Sequence, residues 1–134
     1  MKALLYIPLI CLILFSCSKD ENDLKSSTTV VGKWKQIETY QSDGGSGPTW
    51  SPISNGYTLE FLDNGTFTAT KFADCQAGTY SVSTSNQIVM VYSCENFTTN
   101  DLQQIESLSG SQIILKPIDA QCDEGCAEKF QRIQ

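Results

Sequence analysis

The chain contains no histidine. That removes at once the commonest general base near neutral pH and the commonest ligand for transition metals. Basic residues are scarce as well: 9 Lys and Arg stand against 15 Asp and Glu, for a formal charge of −6. With no basic cluster to neutralise phosphates, nucleic acid is not an expected partner. No amphipathic helical period can be found past residue 30. No Gly-x-Ser-x-Gly elbow, phosphate loop or EF-hand loop is present either. Glu38, Glu60 and Glu106 fall mid-run, where alternation places carboxylates on a solvated face rather than in a catalytic pair. Asp43 and Asp123-Glu124 offer oxygens for weak calcium binding, but acidic turns are too common to mark a site. We therefore expect no enzyme activity, no metal and no cofactor.

What the chain does have begins with its leader. Lys2 supplies a positive start, and Ala3 to Phe15 is an apolar run interrupted only by Pro8. Such a run matches the apolar region of an export signal and is too short to cross a bilayer. It closes on Leu14-Phe15-Ser16-Cys17, which resembles the lipobox of bacterial lipoproteins, in which a small residue precedes the cysteine that is acylated. The resemblance implies a signal peptide over 1–16 and a lipid anchor, hence a membrane attachment, at Cys17. Phe15 departs from it by its bulk. Two or more acyl chains on one residue hold a protein firmly, since each buried CH₂ contributes about 0.8 kcal/mol. Lys19-Asp20-Glu21 resembles the signal by which Bacteroidetes lipoproteins reach the outer face of the outer membrane, which implies surface display. Residues 17–29 are polar and without period. They read as a disordered tether, and a dozen extended residues reach about 40 Å.

Cysteine usage agrees with export. Cys11 leaves with the leader and Cys17 carries lipid, so Cys75, Cys94, Cys122 and Cys126 remain. An even number in a small exported domain reads as two disulfides, with three connectivities open. A four-thiolate zinc site is the rival, but only Cys122-x-x-x-Cys126 has ligand-like spacing.

Residues 30–134 suit one domain with one core. Thr, Val, Ile, Tyr and Phe recur in short alternating runs, broken by Gly, Asn, Asp and Ser. Eight strands are predicted: Val31–Tyr40, Gly56–Leu62, Thr66–Phe72, Gly78–Val82, Gln87–Tyr92, Asp101–Leu108, Gln112–Lys116 and Ala127–Ile133. The turn Asp63-Asn64-Gly65 joins the second and third. A three-residue turn with Gly65 left-handed sets Phe61 opposite Phe67 and Leu59 opposite Ala69, which keeps the apolar faces together. The next hairpin, around Ser83-Thr84-Ser85-Asn86, puts Tyr80 near Val89 or Met90. That register brings Cys75 and Cys94 close enough to favour bridging them, and leaves Cys122 and Cys126 to pair across Asp123-Glu124-Gly125. Gln41–Asn55 reads as one long loop. It is either a lid over a barrel mouth or a plain crossover with Trp50 tucked against the domain, the simpler reading.

Eight short strands with no helix to cover a sheet must dispose of two edges, and closing the sheet does so. The expected fold is an all-β, eight-stranded up-and-down antiparallel barrel without a C-terminal helix. A two-sheet sandwich is the alternative. Gly32-Lys33-Trp34 looks like the Gly-x-Trp signature that opens lipocalins. With Tyr57-Thr58-Leu59-Glu60-Phe61, Asp63-Asn64-Gly65-Thr66-Phe67, Gly78-Thr79-Tyr80 and Cys122-x-x-x-Cys126, the chain resembles the lipocalin-like lipoproteins of Bacteroidetes over residues 31–133. The resemblance implies that Trp34 plugs the barrel base. The chain is shorter than larger lipocalins and lacks their C-terminal helix.

Candidate interior residues are Trp34, Tyr57, Leu59, Phe61, Phe67, Ala69, Tyr80, Met90 and Tyr92. Either they line a pocket for a small hydrophobic or amphipathic ligand, or they simply fill a narrow barrel. A ligand carrier should show a cavity opening beside Gln41–Asn55. A cell-surface structural or interaction module should show a solid interior instead.

Overall fold

The computed structural model describes residues 29–42, 45, 47–119 and 125–134. Cys17 and the expected leader, as well as Cys122, lie outside the described residues. Among those described there is no helix, and nine strands form one antiparallel sheet. They are β1 (Gly32–Gln41), β2 (Thr49–Pro52), β3 (Thr58–Phe61), β4 (Thr66–Ala69), β5 (Ala77–Val82), β6 (Gln87–Cys94), β7 (Phe97–Leu108), β8 (Gln112–Pro117) and β9 (Ala127–Ile133).

Strand β1 pairs with β9 as well as with β3, so β1 and β3 to β9 close into an eight-stranded barrel. This architecture is compatible with a lipocalin-like fold. The extra strand, β2, shares one edge of β1 with β3. Glu38–Gln41 pair with β2, and Gly32–Lys35 pair with β3. Between them, the Ile53 amide donates to the Ile37 carbonyl at 2.8 Å and the Gln36 amide to the Tyr57 carbonyl at 2.9 Å. Strands β2 and β3 are thus one interrupted strand, from which Ser54 to Gly56 loop out. This corrects the reading of Gln41–Asn55 as loop throughout. Pro52 disguised the strand, but proline is tolerated at a strand end on a sheet edge.

The first hairpin has the anticipated register, with Phe61 opposite Phe67 and Leu59 opposite Ala69. Gly65 takes φ +81°, the left-handed conformation that a three-residue turn with a bulge demands. Asn86 does the same at φ 57° in the turn between β5 and β6, and Tyr80 faces Met90 beyond it. Strand β7 begins at Phe97 rather than Asp101. Its polar start, Thr98-Thr99-Asn100, is held extended by pairing with Val91 to Ser93 across the tight turn at Glu95-Asn96, a hairpin that the polar composition of the segment disguises.

The tight turns β3–β4, β5–β6 and β7–β8 gather at one end, the base. The longer β4–β5 connection and the tight β6–β7 turn lie at the other end, the mouth, where β1 and β8 also end and β2 and β9 begin. At the base Trp34 is wholly buried. Its indole N–H donates to the Val30 carbonyl at 2.7 Å, and the Arg132 guanidinium stacks on its ring at 4.1 Å. Arg132 also donates to the carbonyls of Val31 and Gly110, tying the start of β1 to the end of the barrel. Burial lowers the Arg132 pKa.

A bulge in β1 decides what faces inward near the mouth. Gln36 lies opposite Phe130, yet Glu38 lies opposite Lys129. Gln36 faces inward in step with the buried Trp34, and the slip by one residue after it turns Glu38 outward, where unbroken alternation would have placed it inside.

Candidate functional site

The barrel interior divides into an apolar lower part and a polar upper part. Of the expected lining residues, Trp34, Leu59, Phe61, Phe67, Met90 and Tyr92 are buried in the core, as is Ala69. Tyr80 packs against Phe61 with ring centroids 4.8 Å apart, and its hydroxyl donates to the Leu62 carbonyl at 2.7 Å. These side chains meet one another rather than an internal space: Phe61 contacts Phe67, and Phe67 meets Tyr92 edge-on at 4.8 Å. The base half is filled. A cleft of about 510 Å³ exists, but it sits toward the base, lined by residues that include Val30, Val82, Asn86 and Leu108. It is not the cavity expected beside Gln41–Asn55.

Toward the mouth the inward positions change character. Tyr57, just before β3, donates its hydroxyl to Glu128 Oε2 at 2.6 Å, and the Gln36 amide donates to Glu128 Oε1 at 2.9 Å. Glu128 faces inward because β9 alternates, with Phe130 buried two residues further along. From β7 come Asp101 and Gln103, inward for the same reason that Ile105 is. Gln103 donates its amide N–H to Asp101 Oδ1. The Lys71 ammonium, on the β4–β5 connection, lies 2.7 Å from Asp101 Oδ2. It also lies 5.5 Å from the Tyr57 ring centroid and 5.8 Å from that of Phe72. Phe72 in turn packs on Tyr92 and on Phe97.

Electrostatics bind these groups into one site. Burial, reinforced by the Glu128 carboxylate and then by Asp101, pushes the Tyr57 phenol well above its usual range. Tyr92 is pushed up by burial first and by Asp101 and Glu128 after it. Both phenols therefore remain hydrogen-bond donors at any physiological pH. Among the described residues, however, the Tyr92 hydroxyl and Gln103 Oε1 have no hydrogen-bond partner, although Tyr92 is 0% and Gln103 2% exposed. Buried polar groups are normally paired, since leaving one unpaired costs about 1–3 kcal/mol. Beside this site a second cleft of about 420 Å³, lined by Asp74, Cys94, Glu95, Asn96 and Phe97, opens at the rim.

The Cys75–Cys94 disulfide, with Cα atoms 5.8 Å apart, fastens the β4–β5 connection to the end of β6. It holds the segment that carries Lys71 and Phe72 over the mouth. Cys126 is also disulfide-bonded. Among the described residues no cluster suited to a metal ion is present.

The sequence pointed to the tyrosines of this site but not to Gln36, Lys71, Asp101, Gln103 or Glu128. The mid-strand carboxylates it raised lie elsewhere. Glu38 pairs with Lys129 on the outer face, Glu106 is exposed near Lys116 at 3.8 Å, and Glu60 is half-exposed. Trp50 packs outside the barrel against Tyr40, ring centroids 5.2 Å apart, beneath the Lys129 ammonium at 4.2 Å. Comparison with protein-family models, with curated proteins and with solved structures finds no match to this chain.

Proposed function

We propose that this chain is a lipid-anchored protein of the bacterial envelope, held to the outer membrane through Cys17, whose barrel binds a small amphipathic molecule in its upper interior. The observation that carries the binding reading is the pair of buried, unpartnered polar atoms, Tyr92 Oη and Gln103 Oε1, beside the Phe72 ring that packs on Tyr92. A recognition site of this kind combines an apolar wall with a few converging polar groups. The filled lower half argues against a long-chain lipid, which needs the depth that Trp34, Phe61 and Phe67 occupy. The groups that converge there, two phenols, two amides and a carboxylate paired with Lys71, support reading it as a binding site.

Native mass spectrometry of the full chain, extracted from its host in mild detergent, tests this reading. A bound mass of a few hundred daltons, lost in Tyr92→Phe combined with Gln103→Leu, is the expected result. A clean apo mass would favour the second reading, a surface interaction or structural module, for which the solid base half of the barrel is the supporting observation. The anchor is tested separately: an alkyne-tagged fatty acid fed to cells should label the chain, and Cys17→Ala should remove the label.

A further inference from the structure

Among the described residues, two carboxylates, Asp101 and Glu128, face the upper interior, against one ammonium, Lys71. Both oxygens of Glu128 are engaged by neutral donors, Gln36 and Tyr57, so its charge is hydrogen-bonded but not neutralised. Asp101 is held from one side by Gln103, which fixes that amide with its N–H toward the carboxylate and its Oε1 turned away. The remaining partner of Asp101 is the Lys71 ammonium, beside the Tyr57 and Phe72 rings. Both unpartnered atoms, Tyr92 Oη and Gln103 Oε1, can accept hydrogen bonds, which is what an ammonium group with three N–H donors requires. Carboxylate, ring faces and free acceptors together describe the surroundings of an organic cation.

We infer that Lys71 occupies, as an internal stand-in, a site for a small primary ammonium ligand formed by Asp101, the rings of Tyr57 and Phe72, and the free acceptors of Tyr92 and Gln103. The inference rests on the reading of the barrel as a small-molecule binder and specifies the ligand's charge. Lys71 is suited to yield. It belongs to a connection between strands, not to the ladder, and its side chain is 27% exposed, so it can swing to solvent while the disulfide at Cys75 holds the segment in place. An incoming ammonium replaces the ion pair with Asp101 and reaches acceptors that Lys71 leaves unused.

The test uses the full chain in detergent and three probes of one shape: n-butylammonium, n-butanol and butyrate. Saturation-transfer NMR on the butyl protons and the shift in melting temperature read binding. Butylammonium is expected to bind at least tenfold more tightly than butanol, and butyrate not at all. Lys71→Met, which keeps the apolar stem and removes the internal competitor, should tighten butylammonium binding tenfold or more. Adding Asp101→Asn to that variant should abolish the gain. Equal binding of butanol and butylammonium would overturn the ammonium site while leaving the small-molecule reading intact. An unchanged affinity in Lys71→Met would overturn the role of Lys71. Binding of none of the probes, together with an apo native mass, would overturn both readings.

Discussion

The Tyr57 hydroxyl and Glu128 Oε2 are 2.6 Å apart inside the barrel, though 71 positions separate them in the chain. The fold holds the Tyr57 phenol protonated, its pKa raised by burial first and by Glu128 next. An unperturbed phenol titrates near pH 10. Because the folded value is the higher one, the stabilisation is fully present below about pH 10 and is lost as pH rises through the folded value. Absorbance at 295 nm should therefore show a phenol fraction that ionises late, together with unfolding. That fraction should shrink in Tyr57→Phe and in Tyr92→Phe. At neutral pH Tyr57→Phe should cost about 1.5–3 kcal/mol, the range for a hydrogen bond to a charged group, measured by urea denaturation.

Trp34 and Arg132 close the base. Trp34→Ala removes a fully buried ring, its bond to Val30 and the platform under Arg132. A loss of about 3–5 kcal/mol is expected. Because the mouth lies at the far end of the barrel, butylammonium affinity in Lys71→Met should survive this change wherever the variant still folds.

The Cys75–Cys94 bridge spans a sequence separation of 19. Constraint of a loop of that size contributes about 3 kcal/mol through the unfolded chain. Replacing both cysteines with alanine should lower the free energy of unfolding by about that amount. It should also speed hydrogen exchange in the β4–β5 connection more than at the base, which exchange mass spectrometry would resolve.

Two glycines should respond differently to alanine. At Gly65 a Cβ would have room, its nearest neighbour being the Tyr80 carbonyl oxygen at 3.7 Å, so only the left-handed backbone is penalised. A loss of about 1–2 kcal/mol is expected there. At Gly78 the new Cβ would overlap the Val91 carbonyl and approach Phe67 Cε1 to 2.8 Å. Overpacking on this scale costs about 3 kcal/mol. Thermal melts of the two variants should rank in that order.

Much of the barrel was legible in the chain itself. Alternation in Tyr57 to Phe61 and Thr66 to Ala69, with Gly65 between them, was enough to place Phe61 against Phe67, because the turn type and the apolar face each demand the same register. The same local reasoning brought Cys75 to Cys94 along one hairpin. The lack of any helix to cover a sheet argued for closure, and β1 does meet β9. These are consequences of short-range geometry, in which each residue's neighbours are known. The polar site was not of that kind. Asp101, Gln103, Glu128 and Gln36 look like ordinary solvated positions in a half-polar strand, and nothing local says that polar side chains in step with Ile105, Phe130 and Trp34 meet one another inside a barrel. Their facing follows the buried Trp34, Ile105 and Phe130 of the same strands, the bulge after Gln36 turns only Glu38 outward, and ring closure is what brings Glu128 of β9 to Tyr57. Strand periodicity is a property of a segment, whereas the phase of one strand relative to the barrel axis exists only once every strand has been paired.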